Sequence, residues 1–231
     1  STGANQCIDQ VNIFGPKVRW FFDIPVPSAE TVGATLDSIL RHAVLLSQNG
    51  PVHLNLMIRE PFLPQEAERN TAATTALGPL FAPHITCTKE SLLWLKETLK
   101  SAKRGLVLAG VIEDPEEQRA AERIIQALGW PVFADITSNV QAAPVLVQPA
   151  EALLTHPKIE LLNPDVVLQL GGKMISKRYD RWLSKSKALH MVINSSSRRQ
   201  DSGSTVHSHI VSQLHALPAI NGGTSELLPV L

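Results

Sequence analysis

The chain has 231 residues, which at roughly 150 residues per domain predicts one whole domain and part of another. Lysine plus arginine and aspartate plus glutamate each number 21, so the formal net charge is zero and gives no electrostatic reason to expect binding to nucleic acid or to an anionic membrane. Hydrophobic residues make up 44% of the chain, and no apolar run approaches the roughly 18 residues that a membrane span needs. We therefore expect a soluble globular protein with no membrane span and no nucleic-acid partner.

The first part of the chain is predicted to form a strand, a helix and a second strand. Residues 17–24 are rich in aromatic and β-branched residues between Gly-Pro and Pro-Val-Pro breakers, which is typical of a short strand. A helix is predicted after Ser28 and ends at an Asn-Gly pair. Its apolar face consists of Val32, Leu36, Ile39, Leu40 and Ala43. Residues 52–58 then predict a strand of the kind found inside a parallel sheet.

A change in composition predicts a boundary between two domains. From residue 61 to residue 88 the chain has no sustained hydrophobic period and contains four prolines, Pro61, Pro64, Pro79 and Pro83. The predicted parts are 1–62 as part of a first domain, 63–88 as a linker, 89–217 as a central domain and 218–231 as a tail.

Helices and strands alternate again in the predicted central domain. The patterns predict helices at 91–103, 115–128 and 176–185, a short helix near 150–155, and strands at 105–110, 131–136, 165–170 and 188–194. Asp114 supplies the N-cap and Pro115 the first residue of one helix, which Gly129 ends. Because helices cross over between the strands, the sheet should be parallel with right-handed connections. The sequence thus predicts an α/β fold, with a Rossmann-like central domain preceded by a partial strand-helix-strand piece of a second α/β domain.

The common short motifs of catalytic and metal sites are not found in this sequence. Cys7 and Cys87 share no CxxC spacing, so we predict neither a disulfide framework nor a thiolate zinc site. His207 and His209 would lie on one face of a strand, but Asp201 is the only further residue nearby of a type that binds metals. We predict no metal ligand, no cofactor-binding residue and no catalytic residue in this chain.

The strongest candidate for a binding segment follows the predicted strand that ends at residue 170. Gly171 and Gly172 lie at the carboxyl end of that strand before a helix, where doubly wound sheets bind anions and nucleotides. Ser176, Lys177 and Arg178 then place two cations at a helix start, where they oppose the helix dipole and would favour a bound anion. A plain tight turn and a solvated helix end are the alternative interpretations.

Several of these segments together resemble one enzyme family. Residues 3–6 (Gly-Ala-Asn-Gln) and 50–55 (Gly-Pro-Val-His-Leu-Asn) resemble the end of the pyrimidine-binding domain of the 2-succinyl-5-enolpyruvyl-6-hydroxy-3-cyclohexene-1-carboxylate synthases, which use thiamine diphosphate. Residues 168–171 and 176–178 resemble the central domain of the same family. The plant and algal form, a module of a fused phylloquinone-biosynthesis protein, is the most similar, as residues 18–22 indicate. The resemblance covers essentially the whole chain.

The resemblance implies a transferase of menaquinone or phylloquinone biosynthesis. Such an enzyme decarboxylates 2-oxoglutarate and adds the resulting succinyl semialdehyde unit to isochorismate. Both substrates are carboxylates, which need amide donors and cations for orientation. On this resemblance Asn5, Gln6, Lys177 and Arg178 are substrate-binding residues, and residues 1–62 are the C-terminal part of the pyrimidine-binding domain.

The same resemblance implies thiamine diphosphate and Mg²⁺ in the complete enzyme, with neither held by this chain alone. The family's activating glutamate and its GDG…N motif have no counterpart in these residues. We therefore expect a fragment that is inactive alone and whose partners are the remaining domains of the same enzyme. The complete enzyme is expected to be a homo-oligomer, located in the plastid in a plant or alga and otherwise in the cytoplasm.

Two alternatives stay open at this point. One is the central domain of another thiamine-diphosphate enzyme, of the acetohydroxyacid synthase or decarboxylase type, which can hold FAD or ADP. The other is a stand-alone Rossmann-type nucleotide-binding or scaffold domain. A bound adenine nucleotide at Gly171 and Gly172 would favour the other thiamine-diphosphate enzyme.

Overall fold

The structure is a computed structural model that describes residues 8–26, 33–57, 79, 81, 83–141, 145–147 and 150–227. The chain divides into two compact units, Ser1–Pro83 and His84–Leu231. Most of the predicted linker, residues 63–78, lies outside the described residues. Within the described ranges, no helix is both long enough and apolar enough to cross a membrane.

The first unit contains the predicted strand, helix and strand. Strands β1 (Trp20–Ile24) and β2 (Val52–Leu56) pair in parallel, and helix α1 (Gly33–Ser47) lies between them in the chain. Ile24 and Ala43 are the buried apolar residues in the described part of this unit. The exposed apolar residues of α1, spaced one helical turn apart, are Leu36, Leu40 and Val44. This unit therefore covers its apolar surface only in part.

The second unit is a doubly wound α/β domain, as predicted. Its helices are α2 (Lys89–Ser101), α3 (Pro115–Leu128), α4 (Ala150–Leu153) and α5 (Lys177–Leu183). Its strands are β3 (Gly105–Ala109), β4 (Val132–Ala134), β5 (Val166–Leu170), β6 (Leu189–Asn194) and β7 (Ser208–Val211). All five strands are parallel, in the order β4-β3-β5-β6-β7.

Two hydrophobic clusters fill the space on the two faces of this sheet. On one face α2 and α3 contribute buried residues such as Leu99 and Ile125, which belong to one cluster with Leu168 of β5. On the other face α5 contributes Tyr179 and Leu183. Burial on both faces explains why β3 and β5 are apolar almost without interruption.

The ends of α3 follow from local sequence, and the structure confirms them. The Asp114 carboxylate accepts a hydrogen bond from the Glu116 N–H at 2.6 Å, and Pro115 is the first helical residue. Gly129 ends the helix in the left-handed conformation, with φ at 61°.

The last strand and its connection differ from the sequence prediction. β7 was not predicted as a strand, and the chain from β6 to β7 contains no crossover helix. β7 has only four residues, two of which are serine and histidine, so no apolar run marks it. Residues 195–207 cross over as an irregular segment instead, and this segment forms one wall of a cavity described below.

Residues of the predicted tail pack onto the second unit. Ile220 and Leu227 are buried, and the Trp130 indole N–H donates to the Gly223 carbonyl at 2.6 Å. The Ser225 hydroxyl donates to the Gly105 carbonyl at 2.8 Å.

Candidate functional site

The carboxyl ends of β3 and β5 lie where the strand order reverses, which is the usual ligand crevice of a doubly wound sheet. At this point the backbone that follows β3 is in direct contact with the backbone that follows β5. The Gly110 N–H donates to the Leu170 carbonyl at 2.9 Å, and the Gly172 N–H donates to the Val111 carbonyl at 2.8 Å. A Cβ on Gly110 would lie 1.9 Å from the Gly172 carbonyl oxygen. The two loops therefore close the crevice.

The Gly171-Gly172 pair is explained by this contact. Gly171 has φ at 80°, and a Cβ there would lie 2.6 Å from the Val111 carbonyl oxygen. Both glycines allow the backbone to turn and to approach the neighbouring loop. The geometry thus supports the tight-turn interpretation of this pair over the anion cradle.

Helix α5 brings Lys177 and Arg178 to the carboxyl edge of the sheet. The Ser176 hydroxyl caps the helix by accepting a hydrogen bond from the Arg178 N–H at 3.4 Å. The Arg178 Nη1 atom lies 3.0 Å from the Glu151 Oε2 atom, in a pair whose side chains are about half exposed. Lys177 is also exposed, but it makes no ion pair with any residue the structure describes. Of the two predicted cations, only Arg178 already has an anionic partner in that part of the chain.

Asp135, which follows β4, connects the end of β4 to the segment before α5. Its Oδ1 atom accepts hydrogen bonds from the Thr137 N–H at 3.0 Å and the Thr137 hydroxyl at 2.8 Å. Its Oδ2 atom accepts a hydrogen bond from the Ile175 N–H at 2.8 Å. Both carboxylate oxygens are therefore engaged with the loops that surround the start of α5.

A shallow cleft of about 240 Å³ lies beside these residues. Its lining residues are Ala134, Asp135, Ile136, Glu151, Ile175, Ser176 and Tyr179. Ile136 is 90% exposed and Ile175 63% exposed, which is unusual for isoleucine. Tyr179 is buried, and burial together with the nearby Glu151 and Asp135 carboxylates raises the pKa of its hydroxyl to about 12. The phenol therefore stays protonated at neutral pH.

A second cavity, of about 260 Å³, lies between α5, the β6–β7 connection and the sheet. Two polar side chains from buried strands, Gln169 and His190, form part of its floor. The His190 Nε2 atom is 3.1 Å from the Gln169 Oε1 atom, and its Nδ1 atom is 3.1 Å from the Thr205 hydroxyl. Because the Gln169 amide nitrogen already donates to the Gly172 carbonyl, its oxygen accepts, and His190 carries its proton on Nε2.

The electrostatic surroundings of His190 favour the neutral ring. The pKa of its ring is lowered from 6.5 to about 4, mainly by burial; the Asp201 carboxylate raises this pKa and the nearby His207 lowers it. His190 is therefore a hydrogen-bonded link between β5, β6 and the β6–β7 connection at neutral pH. Sequence analysis missed it, although a polar residue at an inward position of an apolar strand is a signal that could have found it.

The remaining candidates from the sequence are two amide side chains, two histidines and two cysteines. Asn5, Gln6 and Cys7 lie outside the described residues. The His207 Nδ1 atom accepts the His190 N–H at 3.2 Å, and the His209 Nε2 atom is 3.1 Å from the Asn194 Oδ1 atom. Both histidines thus form hydrogen bonds with residues of β6, at its two ends. Cys87 is a free, half-buried thiol.

Comparison with known proteins gives one family match. The family model described as the middle domain of thiamine pyrophosphate matches residues 86–224, which is the second unit almost from end to end.

Several curated proteins similar to this chain are named 2-succinyl-5-enolpyruvyl-6-hydroxy-3-cyclohexene-1-carboxylate synthase. The protein of Rubrobacter xylanophilus is 38% identical over 202 residues, covering 80% of this chain and 34% of the relative. That of Chlorobaculum tepidum is 35% identical over 208 residues, covering 83% and 35%. That of Salinibacter ruber is 37% identical over 206 residues, covering 80% and 34%. The chain thus spans about a third of the length of these relatives.

A solved structure supports the fold. It is that of a protein from Mycobacterium smegmatis assigned as a thiamin diphosphate-dependent enzyme. The TM-score is 0.51 at 16% identity, and the match covers 90% of this chain and 39% of the other. At this identity the likeness applies to the fold alone.

Proposed function

Since this chain belongs to the family of middle domains of thiamine pyrophosphate enzymes, we propose that it is part of a 2-succinyl-5-enolpyruvyl-6-hydroxy-3-cyclohexene-1-carboxylate synthase. The observation that carries the proposal is the identity of 35–38% to three such synthases over about four fifths of the chain. The complete enzyme would decarboxylate 2-oxoglutarate and add the succinyl semialdehyde unit to isochorismate, as a step of menaquinone or phylloquinone biosynthesis.

In this proposal the chain contributes contacts to a substrate carboxylate. Lys177, Arg178, Asn5 and Gln6 form the proposed substrate-binding set, because cations and amide donors orient carboxylates. Of the two cations, Lys177 is favoured for the direct contact. Its ammonium group is exposed and unpaired among the described residues, whereas the Arg178 guanidinium lies 3.0 Å from the Glu151 carboxylate.

Thiamine diphosphate and Mg²⁺ are proposed to be held by other parts of the complete protein. Along the described ranges, no group of three or more His, Cys, Asp or Glu side chains is arranged to hold a metal ion. The contact between Gly110 and Gly172 also fills the crevice where a diphosphate could lie. Both observations support the proposal that other parts of the complete protein hold these two groups.

The remaining expectations concern the complete protein. We propose that residues 1–62 belong to its pyrimidine-binding domain, that residues 63–88 are a linker, that residues 89–217 are its central domain and that residues 218–231 are a tail. The complete protein is proposed to be a homo-oligomer, located in the plastid in a plant or alga and otherwise in the cytoplasm.

The test uses the complete protein, produced from the gene with its flanking coding sequence. It is incubated with thiamine diphosphate, Mg²⁺, 2-oxoglutarate and isochorismate, and CO₂ release and isochorismate consumption are followed together. We expect one isochorismate consumed for each CO₂ released. Pyruvate in place of 2-oxoglutarate is the control, and turnover of pyruvate without isochorismate would overturn the proposal in favour of an acetohydroxyacid synthase or decarboxylase.

A second measurement addresses the 231-residue chain by itself. Calorimetric titration with thiamine diphosphate and Mg²⁺ should show no cofactor-like binding, because the proposal assigns both groups to other parts of the complete protein. Binding in the micromolar range would contradict the proposed division of roles.

A further inference from the structure

A groove with cations in its lining lies beside the last turn of α5. Its volume is about 430 Å³, which is within the usual range for small-molecule sites. One wall comes from α5 and the turn after it, and the other comes from residues 154–163, which precede β5. Because β5 and β6 are parallel, the groove lies at their amino ends, at the opposite edge of the sheet from Gly171 and Gly172.

Part of this lining is apolar. Leu154 and Ile159 are half-buried and Leu162 is buried, and the half-buried Trp182 indole adds a flat surface from α5. The Trp182 ring also packs against Phe133, with 6.3 Å between the ring centroids. Partly exposed apolar side chains in a concave surface are suited to an apolar ligand body.

The rest of the charge in the lining is positive. Three cations line the groove, and no carboxylate among the described residues does. Arg178 is paired with Glu151, so its charge is already matched. Arg181 and Lys185 are exposed, and the charged group of neither makes a hydrogen bond or ion pair with any residue that the structure describes.

Local helix stability explains only part of this arrangement. The C-terminal end of a helix carries partial negative charge, which accounts for cations in the last turn of α5 and just after it. It does not account for the apolar residues of 154–163, which line the same groove. The cavity beside His190 differs in this respect, because its lining contains carboxylates as well as cations.

We propose that this groove binds an organic phosphate with an apolar body. Arg181 and Lys185 are four positions apart, so both charges can reach one head group. A phosphate monoester carries close to two negative charges at neutral pH, whereas a carboxylate carries one, which a single cation would match. The apolar body would lie on Trp182, Leu154 and Ile159. None of these side chains belongs to the proposed substrate-binding set, so the proposal does not depend on the proposed reaction.

Calorimetric titration of the complete protein with three matched probes tests the chemistry of the ligand. Thiamine diphosphate and Mg²⁺ are present throughout, so that any diphosphate site elsewhere in the protein is filled. Octyl phosphate should bind about tenfold more tightly than octanoate, which lacks the second charge, or inorganic phosphate, which lacks the apolar body. Octanoate binding as tightly as octyl phosphate would overturn the choice of head group. Inorganic phosphate binding as tightly would overturn the role of the apolar surface.

Variants of the two cations test the location. Arg181→Met and Lys185→Met keep an apolar side chain and remove the charge, so each should weaken binding of octyl phosphate about threefold to tenfold. The matched control is Lys187→Met, an exposed lysine close by that does not line the groove, and it should leave the affinity unchanged. Equal weakening in all three variants would overturn the proposal, because it indicates general attraction to positive charge.

Amide hydrogen exchange of the wild type locates the site without any substitution. Octyl phosphate should slow exchange in residues 154–163 and in the last turn of α5, while amides of α2 exchange at unchanged rates. Unchanged exchange in both segments of the groove would overturn the proposal.

Vesicles distinguish a lipid phosphate from a free one. Sedimentation of the complete protein with phosphatidylcholine vesicles that contain phosphatidic acid, lost in Arg181→Met, would identify the ligand as a lipid. Binding of octyl phosphate without sedimentation on these vesicles would identify it as a free organic phosphate.

Discussion

At the scale of single residues, adjacent side chains of the same charge have different surroundings. Lys177 and Arg178 are neighbours in sequence, yet Arg178 is paired with Glu151 and Lys177 is unpaired among the described residues. Partners also define the polar residues in the strands: Gln169 and His190 are both buried, and their side chains form a hydrogen bond with each other. The role of such a residue follows from its partners and not from its type alone.

A substitution at Gly110 tests the closed crevice between β3 and β5. Gly110→Ala should lower the free energy of unfolding by about 3 kcal/mol, because a Cβ would lie 1.9 Å from the Gly172 carbonyl oxygen and force the backbone to shift. Urea denaturation measures the change. Gly203→Ala is the matched control, since the nearest atoms to its Cβ are at 3.4 and 3.8 Å, which is ordinary contact. Equal stability of the two variants would contradict the close approach.

The neutral state of His190 predicts a dependence of stability on pH. Its pKa is lowered from 6.5 to about 4 in the folded protein, mainly by burial, so the unfolded chain binds a proton between these values when the folded chain does not. This contribution to the free energy of unfolding is fully present above about pH 6.5 and is lost as the pH falls, by about 2 kcal/mol at pH 5.

Comparing the wild type with His190→Gln isolates the contribution of His190 to the pH dependence of the free energy of unfolding. Urea denaturation at pH 7 and pH 5 should show a smaller loss of stability on acidification in the variant, because it lacks the titrating group. If both proteins lose the same amount, His190 is not the group responsible.

At the scale of elements, α3 fixes the segment after β7 by one carboxylate. Glu117 accepts hydrogen bonds from the Leu214 N–H at 2.7 Å and the His215 N–H at 3.2 Å, and it also contacts the His215 ring. The two side chains are only 15% and 16% exposed. A mostly buried carboxylate that satisfies two backbone N–H groups is an effective anchor between a helix and a loop.

Substitution of this anchor should cost stability. Glu117→Gln should lower the free energy of unfolding by about 1–3 kcal/mol, because the amide keeps one acceptor oxygen and loses the second. Glu122→Gln on the same helix is the control, since its carboxylate makes no hydrogen bond or ion pair with the described residues. Denaturation of both variants by urea gives the comparison, and a control as destabilised as Glu117→Gln would contradict the anchor.

The elements differ in how far the sequence alone could predict them. Asp114, Pro115 and Gly129 set the ends of α3 by local capping, so its bounds are confirmed to the residue. β7 could not be predicted, because four residues without an apolar run become a strand only by pairing with β6. Glu151 as the partner of Arg178 could not be predicted either, since the pair joins two different helices at residues 27 positions apart in the chain.

At the scale of the whole molecule, the two units differ in how much apolar surface they bury. The second unit buries a sheet on both faces, with every residue of β3 and β5 buried. In the described part of the first unit, Leu36, Leu40 and Val44 of α1 stay exposed, and β1 and β2 form only a two-stranded sheet. A two-stranded sheet is at best marginally stable in water without further packing.

Hydrogen exchange along the chain should show this difference. We expect amides of β3, β5 and β6 to be protected by far more than those of β1 and β2, because opening the second sheet exposes much more apolar surface. Mass-spectrometric exchange of the 231-residue chain measures both units in one experiment. Equal protection would mean that the first unit has found another packing partner, for instance a second copy of the chain.

The contact between Gly110 and Gly172 also determines which second mutations can restore a damaged protein. A side chain at Gly110 would collide with the main-chain oxygen of Gly172, and every amino acid has that oxygen. No replacement at position 172 can therefore make room, in contrast to a clash between two side chains, where a smaller partner compensates. A suppressor screen that starts from Gly110→Ala should consequently return true revertants, or changes that displace a whole loop, and no compensating substitution at position 172.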